Sequence, residues 1–253
     1  MSSTIDIVLS KFDPIPLSGM DSVKLMNRID TKYAISVSLL PELLTLAQHD
    51  YFVQEIDGRR IATYDTVYYD TADLEMYVRH HDRQLARQKI RLRRYVDTDI
   101  NFLEIKKKDN KGRTKKKRMV VSEPTLDHAS SEISDFIEQK SRYSLPQISR
   151  ALRTQFRRIT LVNRQKTERL TIDLSLRWTN LRNGNMTEIP QLVIVELKRD
   201  GNSLSPMLGI MNRLRVKPLK LSKYCIGTAL TNPLVKQNRF KKKIRSIRNL
   251  VSE

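Results

Sequence analysis

RQKIRLRRYVDTDINFLEIKKK, residues 87–108, is the stretch that decides the fold predicted from this sequence. Its first half places cations on alternate residues, with Ile90 and Leu92 between them. Because a strand sends successive side chains to opposite faces, one face of this segment is cationic and the other is apolar. The second half repeats the pattern, with Glu104 and Lys106 on one face and apolar residues on the other. Two such neighbouring strands require a polyanion, a counter-charge or bulk water on their charged side.

The composition narrows the class of protein. The 253 residues include 47 Lys and Arg against 28 Asp and Glu, a formal net charge of +19. Such a surplus is typical of proteins that bind nucleic acid, an acidic membrane surface or a phosphate-rich substrate. The single cysteine, Cys225, excludes an internal disulfide and gives no sign of an oxidising compartment. No apolar run of about 18 residues occurs and the N-terminus lacks the order of a signal peptide, so we expect a cytoplasmic protein without a transmembrane segment.

The alternation of the opening stretch recurs along the chain. Six predicted strands share one design, apolar on one side and charged on the other, and they contain Lys32, Arg91, Glu104, Lys116, Asp173 and Glu196. Helices predicted at about 36–50, 132–140 and 205–215 also need an apolar surface to pack on. A closed antiparallel β-barrel of the α+β class meets both demands, with helices outside and the charges facing a wet lumen. An open sheet with its basic face in solvent or on nucleic acid remains the alternative.

The ends of the chain and one turn complete the predicted layout. We expect a single domain over residues 1–253, with an N-terminal capping segment at 1–27 and a basic C-terminal tail or helix at 234–253. Three roles remain open for this tail: a cap on the barrel, a weak contact with an anionic surface, or a solvated helix, which is the simplest. The dipeptide Asp57-Gly58 predicts a hairpin between two strands within residues 51–70.

The charged residues suit phosphate chemistry. Arg offers a planar fork for bidentate contact with phosphate oxygens, and Lys offers a compact point charge. Carboxylates among them are either structural ion-pair partners or hard oxygen ligands for Mg²⁺ or Mn²⁺. Phosphoryl transfer requires mainly positioning and charge neutralisation, which such a set supplies.

Other chemistries have less support in the sequence. No GxxxxGK(S/T) or GxGxxG motif occurs, so a glycine-rich phosphate loop is not expected. The four histidines, His49, His80, His81 and His128, show no zinc spacing. Few aromatic residues are interleaved with the basic ones, which argues against stacking of nucleic-acid bases and against a nucleic-acid partner.

Seven motifs in order resemble those of a known family. They are RIDTKY (28–33), TVYYDT (66–71), RQKIRLRRY (87–95), FLEIKKK (102–108) with KKKR (115–118) after it, RLTID (169–173), VIVELK (193–198) and LSKY (221–224). Together they resemble the catalytic domain of the vacuolar transporter chaperone (VTC) complex, the polyphosphate-polymerase branch of the triphosphate tunnel metalloenzymes, also termed the CYTH-like superfamily. The resemblance implies a closed eight-stranded antiparallel tunnel that binds a triphosphate and a divalent metal, Mn²⁺ or Mg²⁺.

The resemblance also implies a role for individual residues. The catalytic set would be Arg91, Arg93, Lys32, Lys223 and Glu196, with Glu196 also the metal ligand. The substrate-binding set would be Lys89, Lys106, Lys116, Arg118, Arg158, Arg169, Lys198 and Glu104. The partners would be ATP and inorganic polyphosphate, and the reaction would transfer the γ-phosphate of ATP to the growing chain and release ADP. An Arg–Glu pair across adjacent strands satisfies both side chains without substrate, so a purely structural role stays open for each residue.

One departure from the wider superfamily bears on the reaction. Triphosphatase and adenylate-cyclase relatives begin with ExExK, whereas this chain has Arg28, Asp30 and Lys32 at those positions. Replacing the first acid by a cation weakens a hydrolytic site and suits an anionic acceptor, which favours transfer to a phosphate chain. A triphosphate or polyphosphate hydrolase of the same fold, a non-catalytic polyphosphate- or nucleotide-binding module, and a nucleic-acid binder remain the alternatives.

Overall fold

The computed structural model of the chain describes residues 2–20, 28–123, 125–127, 129–201 and 203–252. Residue His128 and segment 21–27 of the predicted capping region lie outside the described residues. The strands are β1 (Pro14–Ile15), β2 (Arg28–Ser36), β3 (Tyr51–Gln54), β4 (Ala62–Asp70), β5 (Arg87–Tyr95), β6 (Ile100–Lys108), β7 (Thr114–Val121), β8 (Ser149–Asn163), β9 (Glu168–Asn180), β10 (Met186–Ile189) and β11 (Leu192–Asp200). The helices are α1 (Ser2–Ser10), α2 (Leu40–Ala47), α3 (Glu75–His81), α4 (Ser131–Lys140), α5 (Pro206–Arg213), α6 (Lys223–Thr231) and α7 (Lys241–Ser252).

One large sheet joins all the described strands. Its main path of eight strands runs β2-β11-β9-β8-β4-β5-β6-β7, while β1, β3 and β10 lie off this path. Every pair along the path is antiparallel. Within the described residues β2 and β7, the two ends of the path, are not hydrogen-bonded to each other. The predicted α+β class with a large antiparallel sheet is confirmed, but complete closure into a barrel is not.

The apolar face of each strand packs against helices on the outside of the sheet. On β5 and β6, Ile90 and Leu103 are fully buried and pack with Ile133 and Ile137 of α4. The opposite half of the sheet packs in the same way against α1, α2 and α5. Burying one such Leu or Ile side chain stabilises the fold by roughly 1.5–3 kcal/mol. The two-residue periodicity therefore correctly predicts which face meets the helices.

A second group of helices covers one end of the charged face. Ala34 and Ile194 lie two residues from Lys32 and Glu196 on their strands, and thus on the same face. They belong to a buried cluster with Trp178 and residues of α6 and α7. One end of this face is therefore apolar and covered by helices, and the charged residues begin beyond it.

The C-terminal tail differs from the simplest expectation for it. Residues 241–252 do form a helix, but Ile244 and Ile247 are only 8% and 2% exposed and pack into the same buried cluster. The tail is thus a docked amphipathic helix rather than a solvated one, because apolar residues recur along one side of α7.

The turn predicted at residues 57–58 is present, but the predicted pairing of the two strands on either side of it is wrong. Asp57 and Gly58 both have positive φ, 49° and 73°, and a single bridge between Ile56 and Arg59 closes the turn. Strand β3, however, pairs with β1 and β8 rather than with β4. The turn itself is confirmed, but β3 pairs through Tyr51, Phe52 and Val53 with β8 instead of with β4.

The described part of the chain contains no helix of the length and apolarity needed to cross a membrane.

Candidate functional site on the inner face of the sheet

The charged faces of distant strands meet on the inner side of the curled sheet. Lys106 lies on β6, whereas Lys32 and Glu196 lie on β2 and β11, at the other end of the strand order. The pKa of Lys106 is lowered by loss of hydration and by nearby cations that include Lys32, while Glu196 opposes the shift. Residues 219–222 connect distant strands directly: the Leu219 amide donates to the Lys32 carbonyl on β2 at 2.7 Å, and Lys89 Nζ on β5 donates to Ser222 Oγ at 2.8 Å. Strands β2 and β5 therefore lie on either side of this segment, and the sheet curls around it. We call this inner surface the concave face.

Glu104 is the centre of the first cluster on the concave face. Its side chain is 1% exposed, and Nε and Nη2 of Arg91 both lie 2.6 Å from its Oε2. Lys116 Nζ lies 2.7 Å from Oε1, and Nη1 of Arg93 lies 3.9 Å from Oε2. Burial raises the pKa of Glu104, but the three cations outweigh burial and hold that pKa below its ordinary value. Glu104 is therefore an ionised counter-charge that fixes the two arginines in place.

Asp173 is the centre of the second cluster. Arg158 donates two hydrogen bonds to it, from Nε to Oδ1 at 2.5 Å and from Nη2 to Oδ2 at 2.9 Å. The Lys223 ammonium group also donates to Oδ2. Burial raises the pKa of Asp173, but Arg158 and Lys223 hold it below its ordinary value. Lys223 is the first residue of α6, whose N-cap Ser222 accepts a hydrogen bond from the Cys225 backbone. The cap thus determines where Lys223 enters the concave face.

Glu196 is the centre of the third cluster. It lies directly across from Lys32 in the β11–β2 register, and Lys32 Nζ is 2.5 Å from its Oε1. Lys198, two residues farther along β11, places its Nζ 2.7 Å from Oε2. Burial raises the pKa of Glu196, but Lys198 and Lys32 keep it well below the ordinary value. Both carboxylate oxygens are therefore already engaged by ammonium groups.

Two lysines of the concave face stand apart from the carboxylates. Lys89 Nζ donates to Ser222 Oγ at 2.8 Å, and burial followed by the charges of Arg87 and Arg91 lowers its pKa. Among the described residues Lys106 makes neither an ion pair nor a side-chain hydrogen bond, and it is exposed. These two lysines are available to an anionic ligand without loss of a carboxylate contact.

Aromatic rings separate and support the cations. The Arg158 guanidinium lies 4.8 Å from the centre of the Tyr64 ring and 5.2 Å from that of Phe156. The Arg91 guanidinium lies 5.9 Å from the centre of Tyr68. Burial would raise the pKa of Tyr68, but the surrounding arginines and lysines lower it to about 8. Cation–π contacts of this kind hold guanidinium planes in fixed orientations.

The aromatic residues of the site were not assigned to it by sequence reasoning. Their signal is visible on β4, where Tyr64, Thr66 and Tyr68 occupy alternate positions and hence one face. Arg93 Nε donates to Thr66 Oγ1 at 3.2 Å, which confirms that this side of β4 faces the arginines. The alternation of charge that marks the other strands is absent from this face of β4, because Tyr64, Thr66 and Tyr68 are uncharged.

Two predicted residues lie at the margin of the site. Arg118 is exposed and its guanidinium covers the ring of Phe102 at 4.8 Å. Arg169 is half-buried on β9 across from Lys198. The remaining predicted residues gather in the three clusters or beside them: Lys32, Lys89, Arg91, Arg93, Glu104, Lys106, Lys116, Arg158, Glu196, Lys198 and Lys223.

The concave face carries a large surplus of positive charge. Seven cations contact only three carboxylates, and Lys89 and Lys106 add to the surplus. Like charges held together in a partly desolvated space repel one another and favour binding of an anion. The carboxylates position the cations without neutralising them. Such a surface can bind a linear polyanion with several phosphate groups.

The residues present allow a divalent metal only together with a phosphate ligand. In the described ranges no group of three or more His, Cys, Asp or Glu side chains is placed to hold a metal ion. Glu196, Glu104 and Asp173 each sit among cations instead. Mg²⁺ is commonly bound through one or two carboxylates plus the oxygens of substrate phosphates and water. One carboxylate of this face, such as Glu196, fits that mode of binding.

Comparison with known proteins gives a family match and several structural likenesses. The sequence model of a family described as VTC domain matches residues 27–232. No match was found among curated protein sequences. A candidate adenylate cyclase from Vibrio parahaemolyticus has a TM-score of 0.48 and 11% identity over 80% of this chain and 99% of its own. A candidate adenylyl cyclase from Hippeastrum, described as having a dominant triphosphatase activity, has a TM-score of 0.49 and 13% identity over 83% and 99%.

Proposed function

The chain belongs to the VTC domain family, and from this premise we propose that it is a polyphosphate polymerase that transfers the γ-phosphate of ATP to a growing inorganic polyphosphate chain and releases ADP. The observation that carries the proposal is the convergence of seven cations on three buried or nearly buried carboxylates of the concave face. Substrate and product of this reaction are both polyanions, so one surplus of positive charge serves both.

The cations of the concave face would bind the triphosphate in a preorganised array. Arg91 and Arg158 are each fixed by a carboxylate and by an aromatic ring before any ligand enters. Ligand binding then requires little further ordering of these side chains. Such ordering is the usual entropic cost of binding a ligand through flexible arginines. Donors that are fixed in advance also stabilise charge in the transition state without reorganisation.

The transfer itself needs no covalent intermediate on the protein. A terminal oxygen of the polyphosphate chain attacks the γ-phosphorus of ATP, and the bond from that phosphorus to the bridging oxygen breaks, so that ADP leaves with the electron pair. Phosphoryl transfer of this kind depends mainly on alignment and charge neutralisation. Arg91, Arg93 and Lys223 would hold the phosphates, and the proposal assigns them the catalytic role together with Lys32 and Glu196.

A divalent ion, Mn²⁺ or Mg²⁺, would neutralise part of the phosphate charge when bound. Glu196 would supply a carboxylate oxygen to it, with the phosphate oxygens as its other ligands. Because Lys32 and Lys198 already contact Glu196, the ion competes with them for the carboxylate. Tight binding of the ion is thus expected only in the presence of the phosphate ligand.

Transfer to a phosphate chain, rather than to water, is the part of the proposal that rests on local sequence. The strand that begins the charged face carries Arg28, Asp30 and Lys32 instead of two glutamates and a lysine. An additional cation in this position attracts an anionic acceptor and does not activate water. Lys32 contacts Glu196 directly, which is consistent with a role beside the reacting phosphates.

The test is an assay of pure protein with ATP and Mn²⁺, in which chain products are resolved on a gel and ADP is quantified. We expect long chains together with ADP. Release of free phosphate without chains would assign a hydrolase instead, and tight polyphosphate binding without ADP would assign a binding module.

A matched pair of arginine variants locates the activity on the concave face. Arg91→Ala should lower the polymerisation rate at least about 100-fold, as removal of a fixed transition-state donor does. Arg94→Ala is the control, because Arg94 lies in the same strand but pairs with Asp99 in solvent; it should retain the activity. Equal rates for the two variants would remove Arg91 from the proposed site.

A further inference from the structure

A group of cations without carboxylate partners lies next to the concave face. Arg87 and Lys108 are directly opposite each other in the β5–β6 register, two residues from the opposed pair Lys89 and Lys106. Both pairs therefore project from the same face of the sheet. Like charges directly opposite each other in a sheet are destabilising. The arrangement is favourable only if something neutralises these positions or if water screens them.

The ring of His80 lies beside this group of cations. His80 projects from α3, and its ring centre is 6.3 Å from that of Phe240, whose ring also contacts Lys243 Nζ at 5.9 Å. Burial and, after it, the charges of nearby cations lower the pKa of His80 to about 2; the cations are Lys89, Arg87, Lys243 and Lys108. The imidazole is therefore neutral, although four cations surround it.

His80 also carries an unsatisfied polar atom. Its Nδ1 is buried and has no hydrogen-bond partner among the described residues. A buried polar atom without a partner costs about 1–3 kcal/mol and calls for an explanation in a native structure. An anionic oxygen from a ligand would supply a partner for this atom once the ring donates from Nδ1.

The C-terminal helix contributes to the same group. Burial lowers the pKa of Lys243 on α7, and Arg83 in the loop before β5 is among the cations that lower it further. Arg83 is tied to α3, since its amide donates to the His80 carbonyl at 3.2 Å. We call Arg83, Arg87, Lys108 and Lys243, together with His80, the outer basic site. None of its four cations forms an ion pair with a carboxylate in the part of the chain that the structure describes. This distinguishes it from the three clusters of the concave face.

We propose that the outer basic site binds the part of an inorganic polyphosphate chain that extends out of the concave face past Lys89. The inference rests on the proposed function for the identity of its ligand. Lys89 and Lys106 lead directly into Arg87 and Lys108, a step of two residues or roughly 7 Å along the strands. Positive charge is thus continuous from the concave face to α7, which lies beyond the residues 27–232 that the family model matches.

The chemistry of the site favours polyphosphate over a nucleic acid. Binding of single-stranded nucleic acid without sequence preference relies on exposed aromatic rings for base stacking. The aromatic ring at this site, Phe240, is 4% exposed and packs against His80 and Tyr77. A phosphate chain without bases can use the cations alone.

The test compares two ligands that differ only in length. Inorganic triphosphate is short enough to occupy the concave face alone, whereas long-chain polyphosphate also reaches the outer basic site. In the double variant Arg83→Ala/Lys243→Ala, affinity for long-chain polyphosphate should fall about tenfold, the equivalent of about 1.4 kcal/mol. Affinity for triphosphate should stay unchanged, which also shows that the variant is folded.

A control variant removes the same charge elsewhere. Arg94→Ala/Arg245→Ala takes two cations from exposed positions, one of them on α7 itself, and should bind both ligands as the unaltered protein does. Equal losses of long-chain affinity in the two double variants would show that only net charge matters, and this would overturn the proposal. Unchanged long-chain affinity in Arg83→Ala/Lys243→Ala would overturn it as well.

Two further readouts separate the proposal from its rivals. Long-chain polyphosphate, but not triphosphate, should shift the nitrogen resonances of His80 in an NMR titration; no difference between the ligands contradicts the proposal. Single-stranded RNA should displace the long chain poorly, and efficient displacement through this site would overturn the choice of polyphosphate. Because binding needs no turnover, a protein that makes no polymer from ATP would refute the proposed function and still leave the chain-length comparison informative.

Discussion

Glu104, Asp173 and Glu196 are the residues on which the arrangement of the concave face depends. Each is an acid that several cations hold in the ionised state, and the acid in turn holds those cations apart from one another. In a buried cluster of this kind, removing one partner costs far more than the net value of the contact, because the remaining charges lose their compensation. The acids are therefore structural as well as candidate functional residues.

Glu104→Gln should lower the free energy of unfolding at pH 7 by about 3 kcal/mol, since Arg91, Arg93 and Lys116 would lose their counter-charge. The folded-state pKa of Glu104 is depressed, so its stabilising contribution is present above the ordinary carboxyl pKa and is lost as the pH falls toward the folded-state value. Urea unfolding should therefore show the largest difference between the two proteins near neutral pH and a smaller one in acid.

Glu188→Gln is the control for this prediction. Glu188 is 54% exposed and pairs with Arg177 on the surface, so its loss should change the unfolding free energy by less than about 0.5 kcal/mol. Added triphosphate should raise the melting temperature of Glu104→Gln more than that of the unaltered protein, because the ligand restores the missing negative charge. Similar stability of the two variants would show that Glu104 is not the counter-charge described here.

Tyr68 should make the affinity for triphosphate depend on pH, because its phenol can ionise and a phenylalanine ring cannot. Its phenol has a pKa of about 8 in the presence of Arg91 and Arg93 on β5, Lys89 beside them and Lys223 on α6. Above that pH the phenolate adds negative charge where a polyanion has to bind, so triphosphate affinity should fall by up to about tenfold between pH 8 and 9 from this group alone. Tyr68→Phe should bind triphosphate at pH 7 and lose less affinity at pH 9. The same alkaline loss in both proteins would exclude Tyr68 as its source.

At the scale of secondary-structure elements, helix α6 determines where the charged part of the concave face ends. Its N-terminal residue Lys223 contacts Asp173, and its remaining residues pack against the apolar end of the same face. The helix approaches the sheet closely because residue 227 is a glycine: a Cβ there would lie 2.7 Å from Cγ of Trp178. The glycine thus sets the distance between α6 and β9.

Gly227→Ala should displace α6 from Trp178 and weaken triphosphate binding about tenfold or more, because Lys223 would move with the helix. Gly209→Ala is the matched control, since Gly209 also lies in a helix but an added Cβ meets nothing within 4 Å. This second variant should be neutral or more stable by up to about 1 kcal/mol. Calorimetric binding and thermal unfolding of both variants check the prediction. Unaltered triphosphate affinity in a folded Gly227→Ala protein would contradict it.

The elements that sequence reasoning predicted are those with a clear period. The charged strands carry apolar residues at alternate positions, as Ile90 and Leu92 do on β5, so their existence and the direction of their faces follow from the sequence. Helix α6 was not predicted, because its residues from Tyr224 to Ala229 are all buried and show no apolar stripe with a helical period. The partner of β3 was missed because pairing across distant parts of the chain is decided by packing, not by the nearest turn.

The site was predictable to the extent that it is built from charged strand positions. Glu104 was correctly expected among the cations, and the alternation placed Asp173 on a charged face. What the sequence did not reveal is that each acid is already matched with particular cations. That pairing depends on the strand register, which places Lys32 across from Glu196 although the two are far apart in sequence. The contact of Lys223 with Asp173 depends in addition on the docking of α6.

At the scale of the whole molecule, the curl of the sheet converts a net charge of +19 into a localised site. Cations on separate strands of a flat sheet would each be screened by water. On the concave face they share a restricted, partly desolvated space, where electrostatic interactions are stronger. The ligand is therefore expected to bind inside the curl of the sheet and not on its outer surface.

A crystal structure of the protein with inorganic triphosphate tests this central claim most directly. We predict electron density for the phosphates on the concave face, in contact with Arg91, Arg93 and Lys223. Triphosphate bound only on the outside of the sheet, with the three carboxylate clusters of the concave face unchanged and free of ligand, would contradict the account.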